Sequence, residues 1–273
     1  YKMKVILCTS TATPPVWLTR AHPEILIKNE NGTTVDHGAR QPASFSNTFY
    51  RQYSMKMIAE LGKRSGNDKR VMGWQLDNEP GVRQAYNTDA LNRFRAFLKN
   101  KYGNDIQQLN KAWGTAFWSQ VYSTFEQITF PLPRNWGQNP HQLLDWRRFC
   151  AYEASSFMDE QAIELRKYID PVQWITSNYI PNYEDGHVGQ SHELDFDTYT
   201  RYMVYGDPGI GEQGFRIGDP MRIPFANDFF RPFSGVYGVM ELQPGQVNWG
   251  EINSQPYPGA IRLWLWSVFA GGS

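Results

Sequence analysis

Apolar residues along this chain follow two rhythms that alternate from one end to the other. Short apolar and β-branched runs read as strands covered on both faces. They occur at Val5-Ile6-Leu7-Cys8, at Val71-Met72-Gly73-Trp74-Gln75-Leu76, over 172–178, over 194–202 and over 235–242. Between them apolar residues recur every three or four positions, the period of a helix with one buried stripe. Tyr50, Tyr53, Met57, Ile58 and Leu61 make such a stripe over 49–64, and Leu91, Phe94 and Leu98 make one over 88–102. Thr88 or Asp89 is expected to cap that second helix and Gly103 to stop it. A shorter helix is predicted over 106–113 and the longest over 139–169, with Trp146, Phe149, Phe157 and Leu165 on its inner face. Further helices are predicted over 221–230 and 258–269, the last leading into one more strand. Asn31-Gly32 between Leu26-Ile27 and Val35 predicts a small hairpin. Five strands alternating with helices through short connections argue an α/β fold with a parallel sheet.

Two of the strands end alike. The run from Val71 stops at Asp77-Asn78-Glu79 before Pro80-Gly81, and the run over 235–242 carries Glu241 before Pro244-Gly245. Side chains at the carboxyl ends of barrel strands point into the mouth of the barrel, where a rigid element holds them. A single such glutamate more often reads as a strand ending in a solvated acidic turn. A pair converging on one mouth suits glycoside hydrolysis, in which one carboxylic acid protonates the leaving oxygen and one carboxylate attacks the anomeric carbon. Asn178 closes another strand with a polar residue. The segment from Trp113 through Trp118 to Phe125 is too aromatic and broken for an ordinary helix. It reads as a loop over a cleft or as a local aromatic cluster.

At 273 residues the chain needs only one domain. Lys+Arg and Asp+Glu both number 27, so no global field draws it to nucleic acid or an anionic membrane. No apolar run reaches the length of a membrane span. Ten tryptophans suit the flat walls of a sugar cleft as well as a large core. Cys8 and Cys150, both flanked by apolar or aromatic residues, read as buried free thiols rather than a disulfide or a metal cluster. The chain opens at Tyr1 almost directly into a strand and closes just after an apolar run, which reads as a segment of a longer polypeptide, with the compartment left open.

Several blocks then fall into a familiar order: Thr11-Ala12-Thr13-Pro14-Pro15-Val16-Trp17-Leu18, Gly38-Ala39-Arg40, Gly73-Trp74-Gln75-Leu76-Asp77-Asn78-Glu79, 109–120, Asn139-Pro140, and Met240-Glu241 through Trp249. The chain thereby resembles the catalytic barrel of the retaining β-galactosidases of glycoside hydrolase family 42. That resemblance implies a (β/α)8 TIM barrel, of which residues 1–273 would form an incomplete part from about strand three to strand eight. It implies Glu79 as acid/base, Glu241 as nucleophile and Asn78 as a hydrogen-bond partner of the sugar's 2-hydroxyl. Arg40, Trp118 and Trp249 would line the galactose subsite. Tyr202 would hydrogen-bond the nucleophile, with Tyr199 the other candidate. A β-galactoside or oligosaccharide substrate and a homo-oligomer, trimeric in the family, are implied too. A cytoplasmic location is implied only by the resemblance.

Two departures bear on these expectations. Where relatives often carry a cysteine that helps hold a structural zinc, this chain has Gln41-Pro42-Ala43-Ser44. Asn78-Glu79-Pro80 stands where an asparagine-glutamate-tyrosine is commoner, so one wall of the cleft differs. The mechanism expected is double displacement with retention, the carboxylates about 5–5.5 Å apart, and it requires no metal or organic cofactor. Alternatives are a clan relative acting on another β-glycoside or an arabinopyranoside, and a catalytically silent carbohydrate-binding barrel.

Overall fold

The computed structural model describes residues 2–132, 137–181, 186–204, 216–248 and 254–273. Strand β1 (Val5–Cys8) pairs in parallel with β2 (Val71–Gln75), and β2 with β3 (Trp174–Thr176). A second parallel ribbon runs β4 (Asn178–Tyr179), β5 (Asp197–Arg201), β6 (Tyr237–Leu242). β3 and β4 are halves of one strand broken at Ser177. The Ser177 hydroxyl donates to Leu76 O at 2.7 Å, and its carbonyl accepts from Thr198 N at 3.2 Å. The five strands expected from the apolar runs thus form one parallel arc.

Helices cover the outside of this arc: α1 (Val16–Ala21), α2 (Thr48–Ser65), α3 (Thr88–Lys101), α4 (Ile106–Trp113), α5 (Pro140–Arg166), α6 (Arg222–Ser234) and α7 (Ala260–Ala270). Their starts follow the capping chemistry. Asn47 accepts from Tyr50 N, Asp105 from Gln107 N, and Asn139 from His141 N with Pro140 in the first turn. α3 departs from expectation. Neither Thr88 nor Asp89 caps it; Asn87 holds the cap position, and its amide accepts from Lys28 N and donates to Leu26 O. That side chain ties the helix to the loop after β1 instead of to its own first turn. α6 tolerates Pro224 in its first turn, where a missing N–H costs little; it runs past Phe230 through Pro232 and ends at Gly235 with φ 73°. α7 ends at Ala270, so the further strand expected after the last helix does not occur among the described residues.

The core follows the stripes. Ile58 from α2 and Phe157, Met158 and Leu165 from α5 pack on Trp74, Leu76 and Ile175 of the sheet. Phe94, Trp146 and Phe149 fill the space between α3 and α5, and Phe230 of α6 packs on Tyr179, Tyr199 and Tyr237. Gly73 is required by close approach. It pairs with Trp174, and a Cβ there would lie 2.2 Å from the indole ring. The predicted hairpin appears as a single antiparallel bridge, Lys28 with Thr34. The aromatic segment forms a local cluster, Trp113 edge-on to Tyr122 at 6.0 Å and Phe117 stacked on Trp118 at 4.6 Å. Both cysteines are free, but only Cys150 is buried. Cys8 is exposed on β1, which pairs with β2 alone among the described residues.

Asp197 opens β5 in register with Tyr237 and is 6% exposed. Burial pushes its carboxyl up to about 6. An unfolded aspartate titrates near ~4, so the folded state holds this proton more tightly. The stabilisation is complete below that value and disappears as pH rises through about 6. Melting curves of Asp197→Asn should therefore gain on the parent by about 3 kcal/mol between pH ~4 and ~6 and run parallel to it above that. A constant offset at every pH would contradict this.

Candidate active site

The site begins where β2 ends. Asp77 and Glu79 both have left-handed backbone, φ 54° and 46°, a conformation that costs a non-glycine residue roughly 1–3 kcal/mol when the surroundings enforce it. Enforcement comes from every side. Asp77 is fully buried. Its N–H donates to Thr9 Oγ1 at 2.8 Å, and its carboxylate accepts from Thr11 Oγ1 at 2.6 Å and from Asn78 N at 2.8 Å. Arg83, stacked 3.8 Å over Phe45, brings its guanidinium to 3.8 Å from the same carboxylate. The Gln41 amide donates to the carbonyls of Asn78 at 2.7 Å and Glu79 at 2.9 Å. The Glu79 N–H donates to Asn178 Oδ1 at 2.9 Å.

So held, Glu79 is 9% exposed and its Oε2 accepts from Arg40 Nη2. Glu241 comes from β6. Its Oε2 accepts from the Tyr202 hydroxyl and its Oε1 from Asn178 Nδ2, each at 3.0 Å. Burial and the Glu241 charge push the Tyr202 phenol up to about 12, so it remains a donor at neutral pH. The Asn78 Oδ1 accepts from Asn178 Nδ2 at 3.1 Å; turned over, the same amide would accept from Arg40 Nη2 at 2.5 Å and donate to Glu241 Oε1 at 3.2 Å. Arg40, Asn78, Glu79, Tyr202 and Glu241 line one open cavity of about 540 Å³, with Ile180, Arg201 and Arg222 farther along its wall. Two carboxylates facing one cavity, one against a guanidinium and one held by two neutral donors, can divide proton transfer and nucleophilic attack between them.

Five of the seven residues singled out from the sequence thus meet. Trp118 does not reach the cavity. It sits in a tight turn after α4 with φ 50°, stacks on Phe117 and is 64% exposed. Trp249 lies outside the described residues. Between the two tyrosines only Tyr202 reaches Glu241. Tyr199 points to the helix layer, where its hydroxyl donates to Asn227 of α6 at 2.7 Å. Asn178, Gln41, Thr11 and Asp77 were not expected in the site. Asn178 carried the signal of a polar strand end, while the others show only in three dimensions. Gln41 holds the two carbonyls and Ser44 Oγ accepts from Ser46 N, so the stretch after Arg40 offers no metal ligand set. Among the described residues no three His, Cys, Asp or Glu side chains gather as a metal site.

Comparison with known proteins points one way. The sequence family described as beta-galactosidase, glycoside hydrolase family 42, matches residues 1–273. A β-galactosidase of Thermus thermophilus is 36% identical over 99% of this chain and 43% of its own length. β-Galactosidase Bga of Halorubrum lacusprofundi is 34% identical over 99% of the chain and 40% of its own. The crystal structure of a β-galactosidase from the psychrophilic Marinomonas ef1 superposes with a TM-score of 0.91 at 35% identity, covering 99% of this chain and 43% of that one. The chain spans about two fifths of the length of the relatives it matches.

The strained turn makes its own prediction. Thr11→Val removes one hydrogen bond to the buried Asp77 carboxylate with almost no change in volume. Urea denaturation should show a loss of about 1–3 kcal/mol; an unchanged midpoint would mean that the turn is held without it.

Proposed function

The chain belongs to the β-galactosidases of glycoside hydrolase family 42, and on that premise we propose that it carries the catalytic centre of a retaining β-galactosidase acting on terminal β-D-galactosides. The observation that supports this best is the pair of strand-end carboxylates, Glu79 and Glu241, facing one cavity and joined through the Asn178 amide. Glu241 attacks the anomeric carbon while Glu79 gives its proton to the departing oxygen. Glu79 then takes a proton from water, which displaces Glu241 and restores the original configuration. Tyr202 and Asn178 hold the attacking carboxylate. Asn78, whose amide lies beside Glu241 and Arg40, is placed to bind the hydroxyl next to the anomeric carbon.

A carbohydrate-binding barrel without catalysis has less support. A binder needs neither carboxylate, yet Glu79 and Glu241 each have dedicated hydrogen-bond partners. The sugar is the finer question, since a buried partner left without its hydroxyl costs roughly 1–3 kcal/mol and sets the choice among epimers.

Hydrolysis of a panel of aryl β-glycosides by the full-length protein tests the proposal. The galactoside should be cleaved fastest. Glu79→Ala should lose about 10²–10⁴ in rate, Glu241→Ala should lose nearly all activity, and azide should restore part of it in both. Cleavage of another sugar alone would overturn the substrate. Intact aryl glycosides with galactoside still bound would overturn the enzyme.

A further inference from the structure

Asn178 lies directly after the break at Ser177 and is fully buried, so it has no face toward a substrate. Its amide is nevertheless fully used. Oδ1 accepts from the Glu79 N–H at 2.9 Å; Nδ2 lies 3.0 Å from both Thr200 Oγ1 and Glu241 Oε1, with Asn78 Oδ1 a third neighbour at 3.1 Å. The oxygen and nitrogen cannot exchange, because the Glu79 N–H needs an acceptor and Glu241 needs a donor. Thr200 is itself fixed beside Glu241, its register partner across β5 and β6 at the point where that register shifts. One side chain therefore meets the backbone of one carboxylate-bearing residue and the side chain of the other.

We propose that Asn178 is a positioning residue for the reaction proposed above: its amide sets the facing of Glu241 toward the anomeric carbon and anchors the Glu79 turn opposite it. The inference rests on that reading of the site. Residue chemistry at this position is restrictive. Aspartate would keep the acceptor but place a second anion against Glu241. Alanine or serine would reach neither group, and glutamine would be a methylene too long. Without the amide, Glu241 keeps Tyr202 on Oε2, and Oε1 is left with the longer 3.2 Å approach to the Asn78 amide, a looser hold on the attacking oxygen. A misplacement of about 1 Å at a reacting group costs on the order of a hundredfold in rate.

The test isolates the attack step. With 2,4-dinitrophenyl 2-deoxy-2-fluoro-β-galactoside, a Glu241 oxygen bonds to the anomeric carbon and dinitrophenolate leaves with the bonding electron pair, needing no proton from Glu79. The fluorine slows the second displacement, so the galactosyl-enzyme accumulates and is counted by mass spectrometry. For full-length Asn178→Ala the first-order inactivation constant should fall at least about tenfold, with KI within about threefold of the parent and one sugar per chain on the Glu241 peptide. Asn178→Asp should fall further, on the order of a hundredfold or more. A merely structural role would lower the fraction of chains labelled, not the rate of those that label.

If Asn178→Ala folds and labels at the parental rate, the inference is wrong. Should that variant not fold, Thr200→Val reads the same device by loosening the amide. A several-fold slower inactivation at unchanged KI supports it, and an unchanged rate refutes it. A parent protein that is never labelled would instead overturn the retaining reading on which the inference rests.

Discussion

Everything in the site depends on a buried left-handed turn at Asp77-Asn78-Glu79. Two non-glycine residues in that conformation cost roughly 2–6 kcal/mol together, and the local bond from the Asn78 N–H to the Asp77 carboxylate offsets only part of it. The rest comes from three distant parts of the chain, Thr9 and Thr11 after β1, Gln41 in the following loop and Asn178 on β4, and from Arg83 just after the turn. The turn exists only because the parallel arc brings these segments together. In return it lifts Glu79 off the end of β2 into the cavity, where a regular strand would have continued past it.

The second half of the site is built differently. Glu241 sits in β6, and its carboxylate is fixed by the hydroxyl and amide of other strands rather than by its own backbone. The two mechanisms meet at Asn178. Arg40 reaches Glu79 from the surface: its own side chain is 55% exposed, while that of Glu79 is 8% exposed.

Strands and helices were legible because burial on a parallel arc imposes two periods that the apolar residues obey. The glutamates were legible because a carboxylate at the end of an otherwise buried run has little structural reason to be there. Other features were not. Asn87 looks like a neighbour of the Thr88 and Asp89 caps, yet its amide serves a loop far away in sequence. Trp118 carries the right residue in the right block, but the turn after α4 leaves it stacked on Phe117 and outside the cavity wall. Tyr199 and Tyr202 could be separated only by knowing that Tyr199 faces the helix layer from within β5 while Tyr202 lies just past its end. Gln41 entered as a departure from a family pattern, and its role on two carbonyls is visible only in the folded chain.

The stereochemistry of the first product examines the two-carboxylate chemistry most directly. Proton NMR of a galactoside digest, followed from the first minutes before mutarotation, distinguishes the anomers. Double displacement through Glu241 with Glu79 as acid and base yields the β-anomer first. Initial release of the α-anomer would mean a single displacement by water and would contradict the assignment of Glu241 as nucleophile.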